Sequence, residues 1–94
     1  MTEWRYASVN LSTDSTTVES VPCLLGGWAV TADLSAHDCP IKDDTTTVYV
    51  IPASSTAGTH KDCLPTRFET SLVIDPNDTA TGTVTILYKV LADA

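Results

Sequence analysis

Apolar and polar residues alternate with period two along much of this chain, most clearly between Arg67 and Val90. Phe68, Thr70, Leu72 and Ile74 fall on one side of the first half of that stretch, and Glu69, Ser71, Val73 and Asp75 on the other. Val84, Ile86, Tyr88 and Val90 line one side of the second half, opposite Thr83, Thr85, Leu87 and Lys89. Alternation of β-branched and aromatic residues marks half-buried strands. Pro76, Asn77, Asp78 and Gly82 between them are turn formers. The pattern predicts a β-hairpin over Arg67–Val90, with a loop of about seven residues rather than the tightest two-residue turn.

The same pattern extends to the rest of the chain. Glu3–Asn10 reads as a first strand with Trp4, Tyr6 and Ser8 on one face, followed by polar turn material over Leu11–Thr17 and a short alternation from Val18. Pro22–Asp33 is the most apolar stretch and reads as a long central strand anchored by Leu24, Trp28 and Val30, with Leu34 just beyond. The paired glycines Gly26 and Gly27 inside it argue against a helix and for a bulge or a close backbone approach. A short strand is expected around Cys39–Lys42 and a clear one over Thr45–Ile51, stopped by Pro52. Ala53–His60 reads as a loop of small residues, Lys61–Thr66 as an irregular or short edge piece, and Ala92–Ala94 as a tail. About seven or eight strands at short spacing, with no amphipathic helix, predict an all-β domain: a small antiparallel β-sandwich or a jelly-roll-like barrel. At 94 residues the chain is one domain, 1–94, with residues 1–20 as an N-terminal arm or edge strand.

Several strands are apolar on both sides. Val48 and Val50 oppose Tyr49 and Ile51, Val73 opposes Leu72 and Ile74, and Leu87 opposes Ile86 and Tyr88. One side fills the core of the domain. The other needs a cover, and apolar patches on monomers are usually small. A homo-oligomer, dimer or trimer, or a docked subunit is therefore expected. A domain this small also gains from such help, since its own core is modest.

Charge narrows the partners. Lys and Arg number 5 against 12 Asp and Glu, a net charge of −7. That argues against an electrostatic grip on nucleic acid or on anionic membranes. No apolar run is long enough to span a bilayer, and the opening M-T-E-W-R-Y lacks the layout of a signal peptide, so synthesis in a cytoplasm is expected. Reduced thiols are the default there for Cys23, Cys39 and Cys63, whose odd number cannot close a full disulfide framework. The sequons Asn10-Leu11-Ser12 and Asn77-Asp78-Thr79 carry no meaning without secretion.

Candidate chemistry is thin. His37 with Cys39, and His60 with Cys63, offer four ligands of the kind that hold tetrahedral zinc, but H-x-C and H-x-x-C are not its usual spacings. Surface histidines and part-buried cysteines are the better reading. A Cys39–Cys63 disulfide, leaving Cys23 free, is a second alternative. Asp38, Asp43, Asp44 and Asp62 fall on neighbouring expected loops, without EF-hand spacing, and read as solvated acids. Ser54, Ser55 and His60 lack a nucleophile-elbow motif, and no phosphate-binding glycine loop is present. No catalytic residue, cofactor site or metal site is assigned, and the chain is not expected to be an enzyme. Trp4, Tyr6, Trp28, Tyr49, Phe68 and Tyr88 include possible sugar-stacking rings, although alternating strand positions are more often core.

Leu24–His37 (L-L-G-G-W-A-V-T-A-D-L-S-A-H), Cys39–Asp43 (C-P-I-K-D), Thr47–Thr59 and Arg67–Tyr88 together resemble small β-rich virion-associated proteins of tailed bacteriophages. The resemblance covers about two thirds of the chain and leaves out the first twenty residues. Its motifs are structural, with no catalytic residues to carry over. It implies a capsid cement or decoration subunit on the exterior of the virion, with the major capsid protein or another virion protein as partner. The competing expectation is a receptor- or carbohydrate-binding module of a phage fibre or spike, using Trp4 and Tyr6 with loop carboxylates.

Overall fold

The computed structural model describes residues 3–13 and 15–91, apart from the side chain at position 64. The expected tail at 92–94 lies outside the described residues. The chain forms eight strands: β1 (Trp4–Asn10), β2 (Thr16–Glu19), β3 (Cys23–Ala32), β4 (Cys39–Asp43), β5 (Thr46–Ile51), β6 (His60–Phe68), β7 (Leu72–Ile74) and β8 (Thr83–Val90). They make two four-stranded antiparallel sheets. Sheet A has the order β1-β8-β3-β6, and sheet B the order β2-β7-β4-β5. The two sheets share one core, to which Leu25, Trp28, Val30, Val84 and Ile86 come from sheet A and Ile41, Ile51, Leu72 and Ile74 from sheet B. This is a β-sandwich.

The chain crosses between sheets at almost every connection. Only β4 and β5 are both consecutive and paired, through a turn at Asp44, whose φ of 56° is left-handed. Aspartate tolerates that conformation better than most residues. The other connections carry the chain from one sheet to the other, so the sandwich is closed by long-range pairing, with the N-terminal β1 lying along the C-terminal β8. Residues 4–10 are thus an edge strand of sheet A, and β2 is an edge of sheet B.

The hairpin expected over Arg67–Val90 is not formed. Arg67 and Phe68 end β6 in sheet A, the chain turns a corner at Glu69–Ser71, and β7 begins at Leu72 in sheet B. Strand β7 pairs with β2 and β4, and β8 with β1 and β3. Phe68, Leu72, Ile74, Val84, Ile86 and Tyr88 are all buried as the alternation implies, but Phe68 lies in a different sheet from Leu72 and Ile74, and at the corner between them the parity breaks, with Thr70 exposed and Ser71 buried. What period two does not encode is the partner of each half-buried strand. Segment 75–82 links the sheets instead of folding back on β7. Its turn chemistry is local: Asn77 Oδ1 accepts the Thr79 backbone N–H at 2.9 Å. Asn10 Oδ1 does the same for Ser12 at 2.9 Å. Both N-x-S/T triplets are therefore side-chain-mediated turns.

Two further expectations are corrected. Lys61–Thr66, expected as an irregular or short edge piece, is an edge segment, but it belongs to a longer strand, the nine-residue β6, whose register against β3 is interrupted between Asp62 and Thr66. Leu25, not Leu24, is the fully buried anchor of β3. The register shifts between Leu25 and Gly27 against both β6 and β8, so the bulge expected at the paired glycines is present and switches which parity points inward. Cys23 and Leu25 face the core before the bulge, and Trp28 and Val30 after it. A Cβ at position 27 would lie 2.6 Å from the Lys61 carbonyl oxygen, so glycine there lets β6 come close.

Candidate functional site

The outer face of sheet A carries the most distinctive surface. Register places its residues in rows across the four strands. Tyr6 lies opposite Leu87, Leu87 opposite Gly27, and Gly27 opposite Asp62. The next row runs Ser8, Thr85, Ala29, His60. Glycine and alanine therefore occupy the outward positions in the middle of the sheet, where larger side chains flank them on both sides. The result is an open trough of about 360 Å³. Its floor is Gly27 and Ala29, one wall is Tyr6 and Leu87, and the other is the edge strand at His60–Asp62.

Aromatic surface continues beyond the trough. Trp4 and Tyr6 are 43% and 77% exposed, so the commoner fate of alternating aromatics, burial in the core, does not apply to them. The Trp4 ring lies over Gly26, whose missing side chain leaves it room: a Cβ there would be 2.7 Å from Trp4 Cζ3. Lys89 Nζ stands 5.8 Å from the centre of the Trp4 ring, within cation–π range. Trp28, by contrast, is buried on the core side, and its indole N–H has no hydrogen-bond partner among the described residues.

The edges of the sheets differ in protection. Edge strands in native proteins usually carry charges or proline, or are very short, because their free backbone groups recruit other strands. Strand β6 has His60, Lys61, Asp62, Pro65 and Arg67, strand β1 has Arg5, and β2 is four residues long and contains Glu19. Strand β5, T-T-V-Y-V-I, has neither charge nor proline. Its Val48 and Val50 are exposed, Tyr49 is half-buried, and Ile51 is in the core. Tyr49 fastens β5 to β6 of the other sheet, its hydroxyl 2.7 Å from Thr66 Oγ1.

The residues weighed for metal or nucleophilic chemistry go elsewhere. His37 Nε2 is 3.0 Å from Thr79 Oγ1, whereas His60 Nδ1 is 3.2 Å from the Gly58 carbonyl oxygen. Among the described residues no group of three or more His, Cys, Asp or Glu has the arrangement to hold a metal. Cys23, Cys39 and Cys63 are buried free thiols, so no Cys39–Cys63 disulfide is formed; the two lie on strands of opposite sheets. Burial pushes the Cys23 thiol up to about 11 and the Cys39 thiol up to about 12, with nearby carboxylates adding to both shifts. Burial also raises the Cys63 thiol, while the Tyr49 hydroxyl beside it pulls the other way.

The loop aspartates serve the backbone. Asp38 accepts the Ala53 N–H at 3.0 Å, and Asp33 accepts that of Ala57 at 2.8 Å. Asp43 accepts three, from Glu69, Thr70 and Ser71. These bonds hold its carboxyl below the usual range, Glu69 first among them. A second hollow, near His37, Asp38, Pro40 and Asp75, is bordered by the Lys42–Asp75 ion pair at 2.7 Å.

Trp4 and Tyr6 were legible as exposed candidates. The trough was not, because Leu87, Ala29, Thr85 and Asp62 come from three strands that only the register brings together. Small residues at alternate positions 27 and 29 of an otherwise apolar strand were the available signal. No protein-family model matches the chain, and no curated protein matches it.

Proposed function

We propose that this chain is a non-enzymatic structural protein of a tailed-phage virion, a subunit that docks on the outside of the mature head and stabilises it. The sequence resemblance supplies the virion, and the observation that carries the docking is β5. An uncharged, proline-free edge strand with Val48 and Val50 on its exposed side is a liability on a free monomer and a ready seam in an assembly. Adding a strand across it satisfies backbone groups and covers the two valines together. A second copy of the chain or the major capsid protein can provide that strand, giving a homo-oligomer seated on the shell. Stabilisation then follows from mass action: a subunit that binds only the expanded shell shifts the equilibrium away from rupture by its binding free energy. The acidic net charge suits a protein that stays soluble until it meets its shell.

The test is addition of purified protein to expanded heads that lack it. Binding, and a higher temperature of DNA release, are the expected results, with both lost in Val50→Lys, which places a charge on the β5 seam. Heads that neither bind the protein nor are fragile without it would end this reading.

A further inference from the structure

We propose that the trough on the outer face of sheet A binds a neutral saccharide. This goes beyond head docking, which uses β5 of the other sheet. The trough's volume of about 360 Å³ falls in the range of small-molecule sites, roughly 300–1,000 Å³. Its two sides differ in chemistry. The Tyr6 ring and Leu87 present apolar surface, and Gly27 and Ala29 give a floor without protruding groups. Opposite them on β6, His60 and Asp62 present donors and acceptors, and Thr85, beside Leu87 on β8, adds a hydroxyl. A pyranose has the matching asymmetry, with a C–H face that stacks on an aromatic ring and a rim of hydroxyls that both donate and accept.

Other ligand classes fit less well. An ion is disfavoured by charge: Lys61 and Asp62 cancel within the lining, in a chain whose net charge is −7. This balanced patch on an acidic protein is complementary to an uncharged ligand. An extended peptide would look for free backbone groups, but β3 and β8 under the trough are each paired on both sides. Recognition there must come from side chains. Trp4 lies two residues before Tyr6 on the same face, about 7 Å along the strand, so an oligosaccharide can lie across both rings.

Titration of the full chain, followed by amide NMR and calorimetry, tests this with neutral oligosaccharides of glucose, galactose, mannose and N-acetylglucosamine. Sialyllactose and a sulfated heparin disaccharide serve as anionic comparisons. The expected result is binding of at least one neutral series, with shifts at Ala29, Thr85 and Leu87. Tyr6→Ala should weaken it tenfold or more and Asp62→Asn should weaken it measurably. Because the Tyr6 ring is exposed, Tyr6→Ala should fold normally, and Val50→Lys should leave saccharide binding intact while abolishing head binding. Silence across the neutral series would overturn the proposal, as would binding of the anionic sugars alone or affinity indifferent to Tyr6→Ala. Loss of self-association or head binding in Tyr6→Ala, without saccharide binding by the parent chain, would make this face a protein interface and also overturn it.

Discussion

Removing the Asp43 carboxylate should loosen the corner that carries the chain from sheet A to sheet B. Asp43 ends β4, and its two oxygens accept N–H groups from Glu69 at 2.8 Å, Thr70 at 3.0 Å and Ser71 at 3.3 Å. Those residues are the corner between β6 and β7. A hydrogen bond to a charged acceptor contributes about 1.5–3 kcal/mol when well shielded. Glu69 and Thr70 are exposed, so water replaces most of what they lose, whereas Ser71 is buried and its N–H would be left short of a partner. Together the three bonds are worth about 2–3 kcal/mol in Asp43→Ala, a large share of the ~5–14 kcal/mol typical for a domain of this length. The melting temperature should fall by about 10–20 °C. Asp43→Asn keeps one acceptor and should lose roughly half as much.

The pH dependence of that loss separates charge from shape. The folded carboxyl is held below its ordinary value, mainly by the Glu69 N–H and then by those of Thr70 and Ser71. A depressed carboxyl stabilises the fold at every pH above its unfolded value, about 3.9, and that contribution disappears as the pH falls through the lower folded value. Urea unfolding of the parent chain and of Asp43→Asn should therefore differ by a constant amount from pH 7 to about pH 5 and converge below about pH 4. A variant as stable as the parent at pH 7, or a difference that persists unchanged at pH 2, would refute the assignment of Asp43 as the corner's anchor.

Other expectations follow from packing. Gly27→Ala should cost about 1–3 kcal/mol by overpacking, because its Cβ would meet the Lys61 carbonyl 2.6 Å away and push β6 off β3; unchanged urea midpoints would contradict it. Leu72→Asp and Ile86→Asp should each cost several kcal/mol by burying an unpaired charge, since both sites are fully buried, one in each sheet. Asp78→Ala, on the exposed linker between the sheets, should be mild, and equal losses at all three would contradict the burial pattern. Cys23 and Cys39 should resist a thiol reagent at pH 8 in the folded protein and react at once in denaturant, because burial both shields them and suppresses their thiolates; rapid native labelling of either would overturn this.

What could be read from the residues alone follows a physical division. Period-two alternation reports local facts, and the local facts held: β5 starts and stops where its valines and Pro52 place it, β3 bulges at its glycines, and the buried face of β8 is Val84, Ile86 and Tyr88. Pairing is not local. The turn at Asp44–Thr45 joins neighbours that pair, whereas the longer segment after β7 joins strands that do not. Both contain turn formers, and only the core decides between them. Leu24 and Leu25 show the same limit on a smaller scale, since one inserted residue at Gly26 reverses which leucine is buried.

The trough follows from that reversal. After the bulge the parity of β3 puts Trp28 and Val30 inside, so Gly27 and Ala29 fall outside, opposite Leu87 and Thr85. Without the shift, bulky Trp28 would stand on the outer face between Leu87 and Asp62, where it would fill the hollow that Tyr6 now overlooks. The paired glycines thus have two effects from one distortion. They admit β6 at close range and leave room for the Trp4 ring, and they clear the middle of the sheet. Small residues at Gly27 and Ala29, between an exposed aromatic wall and a polar edge, are what leave the hollow open on this face.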